Sequence, residues 1–234
     1  MSSMLGKFDF HVHTNYSDGK SEPLVMVEAA EARGMEAVAL TDHGPELHVG
    51  ILREKMAAML QDVELARGNS GIPVLAGIEA NVVDGDGRVD VDEDFAGKLD
   101  LLIVSIHTLG DLMEPAKVAR EYLRRVTKAL ETRKVDVVGH PFFFHQNLLP
   151  YLPREDIEDF VGLAADRGVA MEVNLKYRAP DEEFLALCLR EGVRFSIGSD
   201  AHRPAEVGRI DWALSALRKV GAKREDLILD DLLR

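Results

Sequence analysis

The chain has 234 residues, of which 46% are hydrophobic and 29% charged, and carries a net charge of −13. That length buries a sizeable core without disulfide staples, and the lone cysteine, Cys188, excludes an internal disulfide. The acidic balance argues against non-specific binding to nucleic acid or anionic membrane, both of which favour a basic surface. No apolar run reaches the length of a membrane span, and no signal-peptide core precedes the first strand, so a reducing, cytoplasmic setting is expected.

The pattern alternates strand and helix throughout. Phe8, Phe10 and Val12 alternate with Asp9, His11 and His13, the period of two of a strand over 8–13. His11 and His13 thus share a face, with Cα atoms roughly 6.5–7 Å apart, a spacing at which two imidazoles can converge on one metal ion. Asp18 follows in the polar turn Ser17-Asp18-Gly19. A helix is expected over 22–33, capped by Ser21 with Pro23 in its first turn and stopped by Gly34. Strands follow at 36–41 and 73–79, separated by a helix over 50–66. The turn signal Asp84-Gly85-Asp86-Gly87 places a hairpin or loop within 82–94. Further strands are expected at 100–106, 135–139, 169–174 and 193–197, with helices over 115–132, 154–167, 181–191 and 210–220. Arg33-Gly34-Met35, Arg167-Gly168-Val169 and Glu191-Gly192-Val193 repeat one helix-to-strand turn, with Gly free to take the left-handed conformation. Seven strands alternating with helices, without a linker, indicate a single parallel β/α domain spanning 1–234.

Six of the eight histidines lie at strand C-termini. His11 and His13 end the first strand, His43 the second, Glu79 the third, His107 the fourth, His140 the fifth, and Asp200 and His202 the seventh. In a β/α barrel these ends gather at one mouth, where active sites lie. Parity supports convergence: stepping back by two from the candidate ligands reaches Thr41, Gly77, Ser105 and Gly198. Leu40, Ile78, Val104, Ile106 and Ile197 occupy the other face. Ligands on a small or polar inward face and bulky residues outward fit a closed barrel better than an open sheet, whose strands are bulky on both faces. His48 and His145 fall in loops and are read as structural, and Cys188 as a small core residue.

His11-x-His13, Ser17-Asp18-Gly19, Thr41-Asp42-His43, Glu79, His107, Gly139-His140-Pro141 and Ser199-Asp200-Ala201-His202 resemble, in order, the motifs of the polymerase and histidinol phosphatase (PHP) family. The resemblance runs from about residue 8 to 205. It implies a distorted seven-stranded (β/α)7 TIM-like barrel and a small stand-alone metal-dependent phosphoesterase. It further implies three divalent ions: one on His11, His13, Glu79 and Asp200; a second on Glu79, His107 and His140; a third on Asp18, His43 and His202. Some family members carry histidine where this chain has Asp18. Imidazole and carboxylate donors without thiolate suit zinc, with iron or manganese as alternatives. Asp9 is a candidate to orient an imidazole; Asp42 either does the same or serves loop N–H groups.

Glu79, Asp200 and His202 are the expected catalytic residues, with water activated by the ions attacking phosphorus in line. Three divalent ions outweigh three carboxylates, so an acidic protein can hold a cationic pocket for a small phosphorylated substrate. Lys176, Arg178 and Arg203 are candidate phosphate contacts. Phe142-Phe143-Phe144 is expected to wall the pocket, form an oligomer contact or fill core. Three other functions compete. A nucleotide phosphodiesterase or exonuclease would want a basic track, against which the acidic composition counts. A non-catalytic regulatory module could lose ligands, yet every expected position is filled. An amidohydrolase would be longer, and no strand end here carries its bridging lysine.

Overall fold

The computed structural model describes residues 5–110 and 114–234. In chain order it contains β1 (Phe8–Val12), α1 (Pro23–Ala32), β2 (Ala37–His43), α2 (Met56–Gly68), β3 (Val74–Asn81), the short α3 (Glu93–Ala96), β4 (Leu101–Ser105), α4 (Pro115–Thr132) and β5 (Val137–Val138). A two-stranded hairpin of β6 (Phe143–Phe144) and β7 (Gln146–Asn147) follows, then α5 (Arg154–Arg167), β8 (Ala170–Asn174), α6 (Glu182–Arg190), β9 (Phe195–Gly198), α7 (Asp211–Lys219) and α8 (Leu229–Leu232). Seven strands pair in parallel in the order β1-β2-β3-β4-β5-β8-β9. Val12 bridges to Ala201 just past β9, bringing the two edges together in a nearly closed (β/α)7 barrel. Among the described residues, no helix is long and apolar enough to cross a membrane.

The helices bury one stripe each. In α4, Val118, Ala119, Tyr122, Val126, Ala129 and Leu130 recur at helical spacing and are buried, with charged residues opposite. All three repeated turns use the left-handed region, with φ of 69° at Gly34, 68° at Gly168 and 77° at Gly192. Inside the barrel the small residues are sterically required. A methyl on Gly198 would overlap Glu172 Oε1 and His11 Cβ, and one on Gly139 would overlap Ser105 Oγ.

Several expected boundaries shift. The helix expected over 50–66 begins as a 3-10 turn at Arg53–Lys55, and α2 proper starts at Met56. Residues ahead of it are pinned to the end of β2, Ile51 N–H donating to His43 O at 2.9 Å and Gly50 N–H to Leu47 O at 2.9 Å. Ser21 does not cap α1. The N-cap is Glu22, without a side-chain bond, Pro23 takes the first helical position, and Ser21 O accepts Asn15 N–H. The fifth strand keeps only Val137 and Val138, since the chain turns at His140, where φ is 28°. The Phe run divides. Phe142 is buried against Tyr122, Phe160 and Phe184, whereas Phe143 stacks on Tyr177 with ring centroids 4.5 Å apart. Cys188 is fully buried, and burial pushes its thiol pKa up. His48 and His145 are exposed.

Candidate metal centre

The C-terminal mouth brings the nine predicted ligand residues together around Glu79. This carboxylate is buried, two residues before the end of β3 rather than at its last position. Its two oxygens face different histidines. Oε2 lies 3.3 Å from His11 Nε2, 3.7 Å from His13 Nε2 and 2.7 Å from His43 Nδ1. Oε1 lies 3.0 Å from His140 Nε2 and 3.4 Å from His107 Nε2. Asp200 Oδ1 approaches His13 Nε2 at 3.4 Å, and Asp18 Oδ1 lies 3.2 Å from His202 Nε2 and 3.7 Å from His43 Nε2. Donor atoms converge in three overlapping groups: His11, His13 and Glu79; His43, Glu79 and His107; and His13, Asp18, His43 and His202.

Backbone irregularities aim these side chains. The register of β1 against β2 shifts between Asp9 and Val12, and Val12 N–H donates to Thr41 Oγ1 at 3.1 Å instead of to a strand carbonyl. Such a bulge re-aims the residues beside it, here His11 and His13, whose rings sit 5.0 Å apart. His140 and Asp200 have positive φ, 28° and 56°, a conformation costing of order 1–3 kcal/mol and retained where the surroundings over-determine it. At His140 the restraint is a backbone N–H donated to Glu172 Oε2 at 2.5 Å.

Orphaned atoms test the fit to metal. Buried side-chain polar atoms normally find partners. Here His11 Nε2, both nitrogens of His13, His43 Nδ1, His140 Nδ1, Asp18 Oδ1 and Glu79 Oε2 are buried without a hydrogen bond. Seven of the eight such atoms among the described residues belong to predicted ligands, the eighth being Ser105 Oγ, and this concentration of partnerless donors and acceptors fits divalent cations. The proton equilibria agree. Burial opposes ionisation of Glu79, yet His11, His107 and His43 hold its pKa well below the usual range. Asp200 is held low in the same way against burial, by His11 and His13, and Asp18 by His202 and His43. Burial opposes charge on His11 too, but Glu172 and Glu79 raise its pKa well above normal. Burial, with His43 beside it, lowers His13 to about 3. Neighbouring histidines thus favour the charged form of all three carboxylates against the cost of burial.

Two orienting groups escaped sequence reasoning. Glu172 on β8 is buried, and its Oε1 lies 2.7 Å from His11 Nδ1, which fixes the ring with Nε2 toward Glu79. Asn81 Oδ1 does the same for His107 Nδ1 at 2.6 Å. The available signal was a lone carboxylate in the otherwise apolar stretch Val169-Ala170-Met171-Glu172-Val173.

Asp9 departs from its expected role. It touches no imidazole; it accepts Ser199 N–H at 2.9 Å, Ser199 Oγ–H at 2.6 Å and Gly208 N–H at 2.7 Å. Its carboxylate is directed across the β1–β9 seam, where backbone donors outnumber ring nitrogens. Asp42 takes the loop alternative, accepting from Thr14 and Ser17 through both N–H and hydroxyl groups and so fixing the turn that carries Asp18.

A cavity of about 670 Å³ opens beside Asp18, Asp200 and His202. Lys176 and Arg203 line it, with Lys20 and Arg209, which the sequence did not single out. Lys176 Nζ lies 2.9 Å from Asp200 Oδ1. Arg178 is exposed with φ of 51° and is not among the residues lining that cavity.

Comparison with known proteins agrees with this architecture. The PHP domain profile matches residues 9–176. A protein of Acetivibrio thermocellus named as a probable phosphatase is 32% identical over 228 residues, covering 91% of this chain and 86% of its own. The DNA polymerase/3′-5′ exonuclease PolX of Bacillus subtilis is 28% identical over 220 residues, 91% of this chain but 37% of PolX. The crystal structure of histidinol phosphate phosphatase from Lactococcus lactis, complexed with zinc, L-histidinol and phosphate, superposes with a TM-score of 0.68 at 19% identity, covering 93% of this chain and 95% of that one. The chain belongs to the PHP family and is a metal-dependent phosphoesterase.

Proposed function

We propose that this protein hydrolyses a small phosphomonoester at a three-metal centre. The observation that carries the reading is the division of Glu79, one oxygen toward His11, His13 and His43 and the other toward His107 and His140. A carboxylate so placed suits a bridge between two ions, the first completed by Asp200 and the second by His107 and His140. Asp18, His43 and His202 would hold the third. Zinc, iron and manganese all accept such a nitrogen and oxygen set. Divalent ions held there supply Lewis acidity toward phosphoryl oxygens and lower the pKa of water toward neutrality.

The chain's own residues do the rest. Glu172 and Asn81 hold His11 and His107 in the tautomer that keeps Nε2 free. Asp200, anchored by Lys176 and by Asn174 Nδ2 at 3.4 Å, sits between the histidines and the cavity. Lys176 on the cavity wall, 2.9 Å from Asp200 Oδ1, can neutralise phosphate oxygens arriving from solvent. Phosphatase naming among the relatives and the phosphate in the Lactococcus lactis complex agree with a phosphomonoester.

Metal-loaded protein is expected to release phosphate from p-nitrophenyl phosphate and other small monoesters, and Glu79→Ala to abolish this while losing metal. Full activity in Glu79→Ala would overturn the site assignment. Cleavage of dinucleotides or oligonucleotides without monoester turnover would replace the reading with a phosphodiesterase.

A further inference from the structure

The cavity beside Asp200 and His202 is lined by four cations, Lys20, Lys176, Arg203 and Arg209, and by three carboxylates, Asp18, Asp200 and Glu206. Lys176 is already engaged with Asp200. Lys20, Arg203 and Arg209 line the same cavity and are exposed. Among the described residues, none of these three makes an ion pair or donates a side-chain hydrogen bond. Elsewhere this acidic chain locks many of its cations to carboxylates: Arg88 to Glu46 and Asp84, Arg124 and Arg125 to Glu121. The carboxylates of the cavity are committed. Asp18 and Asp200 face histidines, and Glu206 Oε2 accepts His202 N–H at 2.9 Å.

The three cations stand on anchored backbone. Lys20 N–H donates to His202 O at 2.8 Å, tying its loop to the segment that carries Arg203. Glu206 N–H donates to Arg203 O at 2.9 Å, Arg209 N–H to Glu206 O at 3.1 Å, and Gly208 N–H to the buried Asp9 carboxylate at 2.7 Å. Three cations that lack a carboxylate partner repel one another around one cavity, and an anion placed among them would relieve that repulsion.

We propose that Lys20, Arg203 and Arg209 form a second anion subsite, so that the preferred substrate is a small organic phosphate bearing another anionic group at the end away from the scissile ester. The inference rests on the phosphomonoesterase reading for its chemistry, but not for its binding. Arg209 and Lys20 are specificity residues under it. Two arginines also suit a planar carboxylate or a phosphate through paired N–H donors.

The test uses the full-length, metal-loaded protein and alkyl phosphates over a range of chain lengths, ending in a methyl group, a carboxylate or a second phosphate. The doubly anionic members are expected to exceed the methyl-terminated ones by about tenfold or more in kcat/KM, the scale of one charge-assisted contact. That ratio should fall in Arg209→Gln and Lys20→Gln and shrink with ionic strength. The comparison of carboxylate with phosphate termini identifies which anion the subsite takes. Equal kcat/KM across the series, or an unchanged ratio in both variants, overturns the subsite while leaving the phosphomonoesterase reading intact. If nothing in the series turns over, that reading fails instead, and calorimetric Kd values for the same compounds decide the subsite: tighter binding of the dianions, weakened in Arg209→Gln, upholds it, and equal binding overturns it.

Discussion

Glu172→Gln separates an orienting carboxylate from a merely buried one. The side chain keeps its shape and loses its charge. Glu172 Oε1 takes His11 Nδ1–H at 2.7 Å, while Oε2 takes His140 N–H at 2.5 Å and Asn174 Nδ2–H at 3.1 Å. A glutamine has one acceptor oxygen and one amide NH2, so either orientation fails on one side. With NH2 toward His140, donors face donors and a buried pair is left unmade, at about 1–3 kcal/mol. With NH2 toward His11, the ring must carry its proton on Nε2, which removes the lone pair aimed at Glu79. For a domain of this size, each kcal/mol lowers Tm by about 2–4 °C, so a fall of roughly 2–12 °C is expected without metal. Metal affinity should drop by about 10–100-fold, as loss of such an outer partner generally costs. Thermal melts of metal-free protein and competitive chelator titrations measure the two effects. Wild-type metal affinity in a folded Glu172→Gln protein would refute the orienting role.

Asp18→Ala should remove one equivalent of metal and leave two, because Asp18 Oδ1 lies nearest His202 and His43, the residues of the proposed third ion; three tightly held ions by elemental analysis would contradict the third-site assignment. Gly198→Ala should cost about 1–3 kcal/mol in denaturant unfolding, the scale of overpacking, and weaken metal binding as well, because the added methyl overlaps both Glu172 and His11; a neutral result would mean the barrel axis has slack. Chelation of the metal-loaded protein should lower Tm by roughly 5–10 °C, since ligand at a hundredfold excess over Kd contributes about 2.7 kcal/mol and each kcal/mol is worth about 2–4 °C; an unchanged Tm would show that the folded site holds metal no better than the unfolded chain.

The metal-capable residues were legible because a strand has a period of two and a barrel has one functional rim. His43, Glu79, His107 and Asp200 each stood at or near a strand end with a small residue two positions earlier, and the tertiary structure left that pattern intact. Residues whose role depends on a long-range partner were not legible. Glu172 and Asn81 act on rings 161 and 26 positions away, and nothing in their neighbourhoods points to those rings. Asp9 was misjudged because face parity shows where a side chain points, not which donors it meets; three donors from Ser199 and Gly208 and the backbone N–H of His11, rather than an imidazole, claim it. Arg178, expected as a phosphate contact by its proximity to Asn174, is exposed and is not among the residues lining the cavity. Lys20 and Arg209 were invisible for the opposite reason: they lie far apart in sequence and share a cavity only after the barrel closes.

That closure gives the seam between β9 and β1 a second significance. The contact from Asp9 to Ser199 spans 190 residues, and forming a loop of that length costs about 4–5 kcal/mol in chain entropy before constant terms. The strands on either side are joined by one bridge of two backbone hydrogen bonds and by a carboxylate rather than by a full ladder. His11 and His13 stand on one lip, Asp200 and His202 on the other. An ion held by residues of both lips would therefore tie the closing seam of the barrel as well as serve the site.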